Sequence, residues 1–432
     1  MAEELLRIRG GNALRGETTV QGAKNSALPL MAASLMCSGE TVLHRVPRLT
    51  DIWTAGRILN GLGCRCRMDG NTAVIRQDGL TGCEIPDAEM RKMRSSIMFL
   101  GPMLGCAKEC VLTMPGGCEL GPRPIDLHLD AMKRLGAEIT EQNGRIRCRS
   151  AGLRGAKITL PVPSVGVTEN VLTAAAAAQG ETVLKNAARE PEICDLAQFL
   201  NRCGARISGA GEGTVVIEGV GSLHGTEYTV MPDRIAAMTW LCAGAAAGGT
   251  VCLKDAAPQD MENALSVLEA AGCRIGICGS RIWLDSSGIL RGVRYIRTMP
   301  YPGFPTDDQA LVCAMLSSAH GTTLLEETVF ESRYKYVGEL LRMGADIRVS
   351  GRTAVINGVS ALHGADVTAT DLRGGAALGI AAAAARGETL LRGLGHIDRG
   401  YEDFAGVFNS IGCPTVRIPD LSASTEKNRS GA

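Results

Sequence analysis

The apolar positions of this chain fall into a block that recurs six times. Each block opens on an extended stretch and runs into a helix of small apolar residues, as at Ala174–Ala178 and Ala381–Ala385. A short apolar strand follows, announced by Gly39-Glu40-Thr41, Gly180-Glu181-Thr182, Gly249-Thr250, Gly321-Thr322-Thr323 and Gly387-Glu388-Thr389, with a weaker copy at Lys108–Leu112. An amphipathic helix comes next and ends on a glycine turn, at Gly63, Gly136, Gly204, Gly272, Gly344 and Gly412, roughly 70 residues apart. Two short strands close the block, as in residues 354–369. Strands and helices alternating in this way predict a mixed α/β (α+β) fold.

The sixth block stops at Val416–Asp420, and the stretch that would finish it, Leu6–Val20, stands at the front of the chain. Three blocks per domain then give residues 22–231 as one domain and residues 1–21 with 232–420 as the other. The chain crosses between them twice, a geometry suited to a hinged cleft. The polar tail, residues 421–432, is expected to be disordered.

A polar patch recurs where the first helix of each block begins: Gly22–Ser26, Arg91–Ser96, Pro163–Asn170, Pro232–Arg234, Phe304–Gln309 and Thr370–Gly375. Ser, Thr and Asp are ordinary helix caps, so any one of them alone means little. Lys24, Arg94, Arg234 and Arg373 are different, because a cation at a helix N-terminus opposes the helix dipole. Cations at several such starts point to a shared anionic ligand, since free N–H groups and positive side chains together suit phosphate and carboxylate. Arg189, Arg333 and Arg399 follow the apolar strands among acids, where ion pairing and ligand contact explain them equally well.

Composition narrows the field. With 45 basic and 45 acidic residues the formal net charge is zero, which argues against nucleic-acid or membrane-surface binding, and 3% aromatics weakens a base-stacking role. The sixteen cysteines are scattered without a CxxC pair or Cys/His cluster, so most of them read as reduced core residues of a cytoplasmic protein and give no zinc site. No apolar run reaches membrane-spanning length without Gly or charge, and no targeting segment is visible. One stretch stands apart from the blocks, Met114–His128, MPGGCELGPRPIDLH. Two glycines put Cys118 on a turn, a poor place to bury a side chain, and prolines flank Arg123. A thiol and an arginine on such an arm read as functional, whereas His128 and His396 read as structural histidines.

The motifs GAKNSALPL, KMRSSIMFLGP, PGGCELGPRPIDLH, PSVGVTEN, NAAREPEICD, PDRI, YPGFPTDDQA, ETVFESRY, ATDLRGGAAL and HIDRGYE resemble those of the enolpyruvyl transferase family, in particular the UDP-N-acetylglucosamine 1-carboxyvinyltransferases, from Leu6 to about Arg417. The resemblance implies two similar domains, each of three βαβαββ-type units in an inside-out, barrel-like α/β arrangement, with the active site in the interdomain cleft. It implies transfer of the enolpyruvyl group of phosphoenolpyruvate to the 3-hydroxyl of UDP-N-acetylglucosamine, with loss of phosphate through a tetrahedral ketal, at the first committed step of peptidoglycan synthesis. No metal or organic cofactor, nucleic acid or membrane insertion is implied.

Carried over motif by motif, Cys118 donates a proton to the methylene carbon, can form a covalent adduct and is the target of fosfomycin-type epoxides. Asp307 takes the sugar hydroxyl proton. Lys24, Asn25, Arg123 and Arg399 hold phosphoenolpyruvate, with Lys24 and Arg399 also counted as catalytic. Arg94, Arg123, Pro124, Ile125, Asp126, Leu127, Ser164, Val165, Gly166, Asp307 and Val329 contact the UDP-sugar. Asp233, Arg234, Arg333, Asp371 and Arg373 support the site. The chain departs from the family pattern at Asp308, Ser332, Tyr336 and Gly374, where Met, Asn, His and Ala are more usual, which leaves room for a slower paralogue. The rival readings are a shikimate-pathway enolpyruvyl transferase, whose LPGDKS- and GNAGT-type motifs are missing here, and a non-catalytic UDP-sugar-binding paralogue, against which Cys118, Asp307 and Lys24 speak.

Overall fold

The computed structural model describes residues 4–113 and 125–420. Cys118, Arg123 and Pro124, the side chain of Arg94 and the tail 421–432 lie outside the described residues. The described chain divides into two compact units, residues 21–231 and residues 4–20 with 232–420, so the first crossing falls after Val20, one residue earlier than the sequence reading placed it.

One plan generates all six sheets. In the first five repeats the apolar strand has an antiparallel neighbour that follows the repeat's own outer helix, and in the sixth that place is taken by Glu4–Gly10. On its other side runs a parallel segment, drawn from the preceding repeat except in the first and fourth. In the fifth repeat, Thr322–Glu326 lies between the parallel strand Tyr295–Arg297 and the antiparallel strand Thr353–Asn357, with Asp346–Ser350 at the edge. In the second repeat the parallel segment shrinks to a single bridge, Glu84 to Val111. All six sheets remain open, so the barrel-like arrangement contains no closed strand barrel.

Each unit closes on itself by a different route. In residues 21–231 the late strands Leu223–His224 and Glu227–Thr229 return to run parallel to Cys37–His44. In the other unit Glu4–Gly10 lies between Gly387–Arg392 and Thr415–Pro419, with Leu6 opposite Leu391 and Arg417. The next strand, Arg15–Thr19, then pairs parallel with Thr250–Lys254. The first residues of the chain thus finish the sixth sheet and open the fourth.

The inner helices are built to be enclosed. Along Arg234–Ala246 and Leu372–Ala384 nearly every residue is buried, and their small side chains let neighbours approach closely. At Gly379 a Cβ would stand 2.6 Å from the Phe404 ring, so only glycine fits. Outer helices are one-sided instead: Pro191–Arg202 starts on a proline, buries Ile193, Leu196, Ala197 and Leu200, and leaves its other face in water. Each unit has its own continuous apolar core.

Backbone conformation explains the repeated glycines. Gly39, Gly180, Gly321 and Gly387, which open the apolar strands, have φ of +85, +93, +107 and +96°, a region open to glycine and costly for side chains. Lys108 occupies the corresponding place in the second repeat with φ +60°. That substitution is why the sequence signature fades there.

Candidate active site

The six inner helix starts are not equivalent. Three have side-chain caps. Ser164 accepts from the Val167 N–H, Asp233 from those of Ile235 and Ala236, and Asp371 from those of Arg373 and Gly374. The starts at Lys24, at the 3-10 turn Arg94–Phe99 and at Thr306–Asp308 have none. An uncapped first turn leaves its N–H groups for another partner.

In the unit containing residues 232–420, the structure brings Asp307, Arg333 and Arg373 together. Arg333 Nη2 donates to Asp307 Oδ1 at 2.8 Å and to the Thr306 carbonyl at 3.1 Å. Arg373 Nη2 donates to Asp307 Oδ2 at 3.2 Å, and its Nη1 to the Tyr401 hydroxyl at 3.2 Å. The guanidinium groups are buried, while the Asp307 side chain keeps 29% of its surface exposed. Burial works against the Arg373 charge, but Asp307, Tyr401 and Asp233 outweigh it and hold its pKa above the ordinary value. The result is a carboxylate held on both oxygens by buried guanidinium groups, with part of its surface open.

Glu327 supports this turn and was not singled out in the sequence. Fully buried, it accepts from the hydroxyls of Thr298 and Thr306 and from the N–H groups of Val329 and Phe330, fixing the Val329 loop to the Asp307 turn. Val329 itself is 42% exposed. Tyr401, also missed, joins Arg373 to Thr239, with 2.7 Å between the two hydroxyls.

Three of the four departures from the family pattern gather behind the same turn. Asp308 is 1% exposed, its Oδ1 has no hydrogen-bond partner, and burial pushes its pKa up to about 8, with Asp307 adding to the rise and Arg234 opposing it. It lines a cavity of about 240 Å³ with Arg234, Asn263, Tyr301 and Pro305. Tyr336 is buried and donates to Gln309 Oε1 at 3.1 Å. A Cβ on Gly374 would come within 2.9 Å of the Tyr336 Cβ, so the two positions constrain each other. Arg399 is half-buried on the turn after the short helix Leu394–Ile397.

In the unit of residues 21–231, Lys24 opens its helix with Asp51 Oδ2 at 3.6 Å from Nζ, and Asn25 beside it is exposed. Asp51, almost wholly buried on the outer helix Thr50–Gly61, was not foreseen. Ile125, Asp126 and Leu127 lead into Asp126–Arg134, Asp126 exposed and Leu127 half-buried. His128 on that helix reaches over Gly166: a Cβ on Gly166 would stand 3.1 Å from His128 Cε1. The segments 125–127 and 164–166 are therefore neighbours. His128 Nδ1 lies 2.9 Å from Asn170 Nδ2, and burial lowers its pKa to about 4, so the ring is neutral near pH 7 with Nδ1 as acceptor and Nε2–H as donor. Arg189 donates to the Gly211 carbonyl at 3.1 Å rather than to an acid.

Among the described residues no helix is long and apolar enough to cross a membrane. The family described as EPSP synthase (3-phosphoshikimate 1-carboxyvinyltransferase) matches residues 8–408. A UDP-N-acetylglucosamine 1-carboxyvinyltransferase 2 from Caldanaerobacter subterraneus subsp. tengcongensis is 48% identical over 412 residues, covering 95% of this chain and 99% of the relative. A UDP-N-acetylglucosamine 1-carboxyvinyltransferase from Zymomonas mobilis is 47% identical over 422 residues, covering 96% and 99%. Among solved structures, the enolpyruvyl transferase NikO from Streptomyces tendae superposes with a TM-score of 0.88 at 25% identity, over 97% of this chain and all of that one. An Acinetobacter baumannii EPSP synthase shares the fold with a TM-score of 0.73 at 19% identity, over 96% of this chain and all of that one. With nearly full-length relatives at this identity and a matching fold, the chain is a transferase that belongs to the enolpyruvyl transferase family, among the UDP-N-acetylglucosamine 1-carboxyvinyltransferases.

Proposed function

We propose that this protein transfers the enolpyruvyl group of phosphoenolpyruvate to the 3-hydroxyl of UDP-N-acetylglucosamine, releasing phosphate, as the first committed step of peptidoglycan synthesis in the cytoplasm. The observation that carries the reading is Asp307, a half-exposed carboxylate with a buried guanidinium on each oxygen, in a chain nearly half identical to enzymes of that name. Asp307 takes the proton of the attacking hydroxyl, and Arg333 and Arg373 keep the carboxylate aimed while it does so. Cys118 protonates the methylene carbon, so that the hydroxyl oxygen bonds to C2 and a tetrahedral ketal forms; loss of a methyl proton then expels phosphate. A thiol suits this duty because its proton is moderately acidic and its sulfur nucleophilic, which also accounts for adduct formation and for alkylation by fosfomycin-type epoxides.

Lys24, Asn25, Arg123 and Arg399 supply the polar and positive groups for the phosphate and carboxylate of phosphoenolpyruvate. The acceptor nucleotide is assigned to Arg94, to Arg123–Leu127, to Ser164–Gly166 and to Val329. Support for that assignment comes from the His128 contact that holds two of these segments side by side.

The test is phosphate release from phosphoenolpyruvate with UDP-N-acetylglucosamine or shikimate 3-phosphate as acceptor. Release with the nucleotide sugar alone, and a product heavier by one enolpyruvyl group, is the expected result. Release with shikimate 3-phosphate would overturn the acceptor, and binding of the nucleotide sugar without release would make the protein a non-catalytic paralogue. Mass spectrometry of the Cys118 peptide after epoxide treatment, in wild type and Cys118→Ser, tests the thiol separately.

A further inference from the structure

A buried carboxylate that takes no part in the proposed chemistry holds the start of the Lys24 helix. Asp195, on Pro191–Arg202, is 8% exposed and accepts from three donors. The Ser26 hydroxyl donates to Oδ2 through a short hydrogen bond, the Met231 N–H donates to the same oxygen at 3.3 Å, and the Tyr228 hydroxyl donates to Oδ1 at 2.7 Å. Met231 is the last residue of this unit, and its carbonyl accepts from the Ala23 N–H at 2.8 Å. Asp195 therefore gathers the first turn of Lys24–Ala33, the strand Glu227–Thr229 and the end of the unit's chain at one point. The Phe199 and Tyr228 rings, edge to face at 5.5 Å, close the site from the apolar side.

The arrangement answers a question raised by the helix itself. Its first turn has a cation, no side-chain cap and no acidic residue, a combination unfavourable for a helix N-terminus. A carboxylate hydrogen-bonded to Ser26 puts the missing negative charge beside that turn from another repeat. All three partners can donate, and an ionised carboxylate, which only accepts, satisfies them together. Burial raises the Asp195 pKa, with Glu192 on the same helix adding to the rise, while the bonds from Ser26, Tyr228 and Met231 oppose it.

We propose that Asp195 is a positioning residue for donor binding: by clasping Ser26 and Met231 it fixes the helix start from which Lys24 and Asn25 meet phosphoenolpyruvate. The proposal rests on the assignment of Lys24 and Asn25 to that substrate. It makes Asp195 specific for one substrate of two, because the acceptor segments 125–127 and 164–166 are fixed by His128 and Asn170 instead.

The experiment is steady-state kinetics of Asp195→Asn, Ser26→Ala and Tyr228→Phe, with hydrogen exchange at the amides of residues 23–27. Asp195→Asn is expected to raise KM for phosphoenolpyruvate about tenfold, as for loss of a hydrogen bond to a charged group, with the UDP-N-acetylglucosamine KM within about twofold of wild type. Ser26→Ala should shift the same KM in the same direction by less, and both variants should exchange faster at 23–27. Ser26→Ala and Tyr228→Phe leave no buried charge unpaired, so they carry the test if Asp195→Asn folds poorly. An equal rise in both KM values, or faster exchange with an unchanged phosphoenolpyruvate KM, would reduce Asp195 to a structural role and overturn the proposal. Should wild type release no phosphate with UDP-N-acetylglucosamine, the proposed function fails by itself. Calorimetric binding of phosphoenolpyruvate to wild type and to Ser26→Ala then decides the clasp: equal affinities would sink it, and weaker binding to the variant would sustain it.

Discussion

The helix starts at Lys24 and at Asp307 occupy the same place in their repeats, and both lack a side-chain cap, yet they carry opposite charges. Asp307 is gripped by two buried arginines, one from the loop after its own repeat's apolar strand and one from the next inner helix. Lys24 has a buried acid, Asp51, from its own outer helix, and Asp195 from the third repeat clasps the turn behind it. The capped starts at Ser164, Asp233 and Asp371 spend their polar side chain on their own backbone. The difference shows how one repeated unit yields several chemistries. Omitting the cap frees the first turn, and neighbouring repeats set the charge that can be held there.

The sharpest way to break the comparison is Asp307→Asn. It keeps the shape and removes the base, and turnover is expected to fall about a thousandfold with little change in fold, read by phosphate release and circular dichroism. Retained turnover would move the base elsewhere. Arg333→Met strips one side of the grip and leaves Asp307 half-paired, at an expected cost of about 3 kcal/mol in denaturant unfolding. Lys24→Met should cost much less stability, because the Lys24–Asp51 pair, at 3.6 Å, is longer than either arm of the Asp307 grip; equal costs would mean that the two starts are held alike.

Asp308 offers a pH test of the same turn. Its folded pKa of about 8 lies above the ordinary 3.8, so the folded state holds a proton that the unfolded chain has lost. The stability from that proton is complete below about pH 4 and drains away as pH rises toward about 8, at about 1.4 kcal/mol per pH unit, and Asp308→Asn should flatten the slope. Melting temperatures of the two proteins across this range decide it; parallel curves would mean Asp308 is already ionised. The smallest effect is expected far from both starts. Lys108→Gly relieves a left-handed backbone that the corresponding repeats give to glycine, and should stabilise by about 0.5 kcal/mol after glycine's own entropic cost.

Much of the fold was legible because the repeat is written in local terms. Glycines at left-handed positions, small-residue helices and alternating strands each state their conformation within a few residues, and the fading at Lys108 has a backbone cause. The site was legible differently. Asp307, Arg333 and Arg373 could be named from motifs, but no spacing says that their side chains meet. Glu327, Tyr401 and Asp195 lie inside quoted motifs but drew no role of their own, and Asp51 gave no signal. A buried acid or tyrosine in an otherwise ordinary strand end or helix looks like any polar residue until its partners from other repeats are known.

By itself the sequence determined the six-fold repeat, the mixed α/β class and the family, since these rest on short-range patterning and on motifs spread along the chain. Only the tertiary structure decided which charges are compensated and by whom. The strand Glu4–Gly10 between Gly387–Arg392 and Thr415–Pro419, Arg373 on Asp307, and Asp195 on Ser26 all join residues far apart in the chain. A buried charge or open strand edge must find its partner wherever packing brings one.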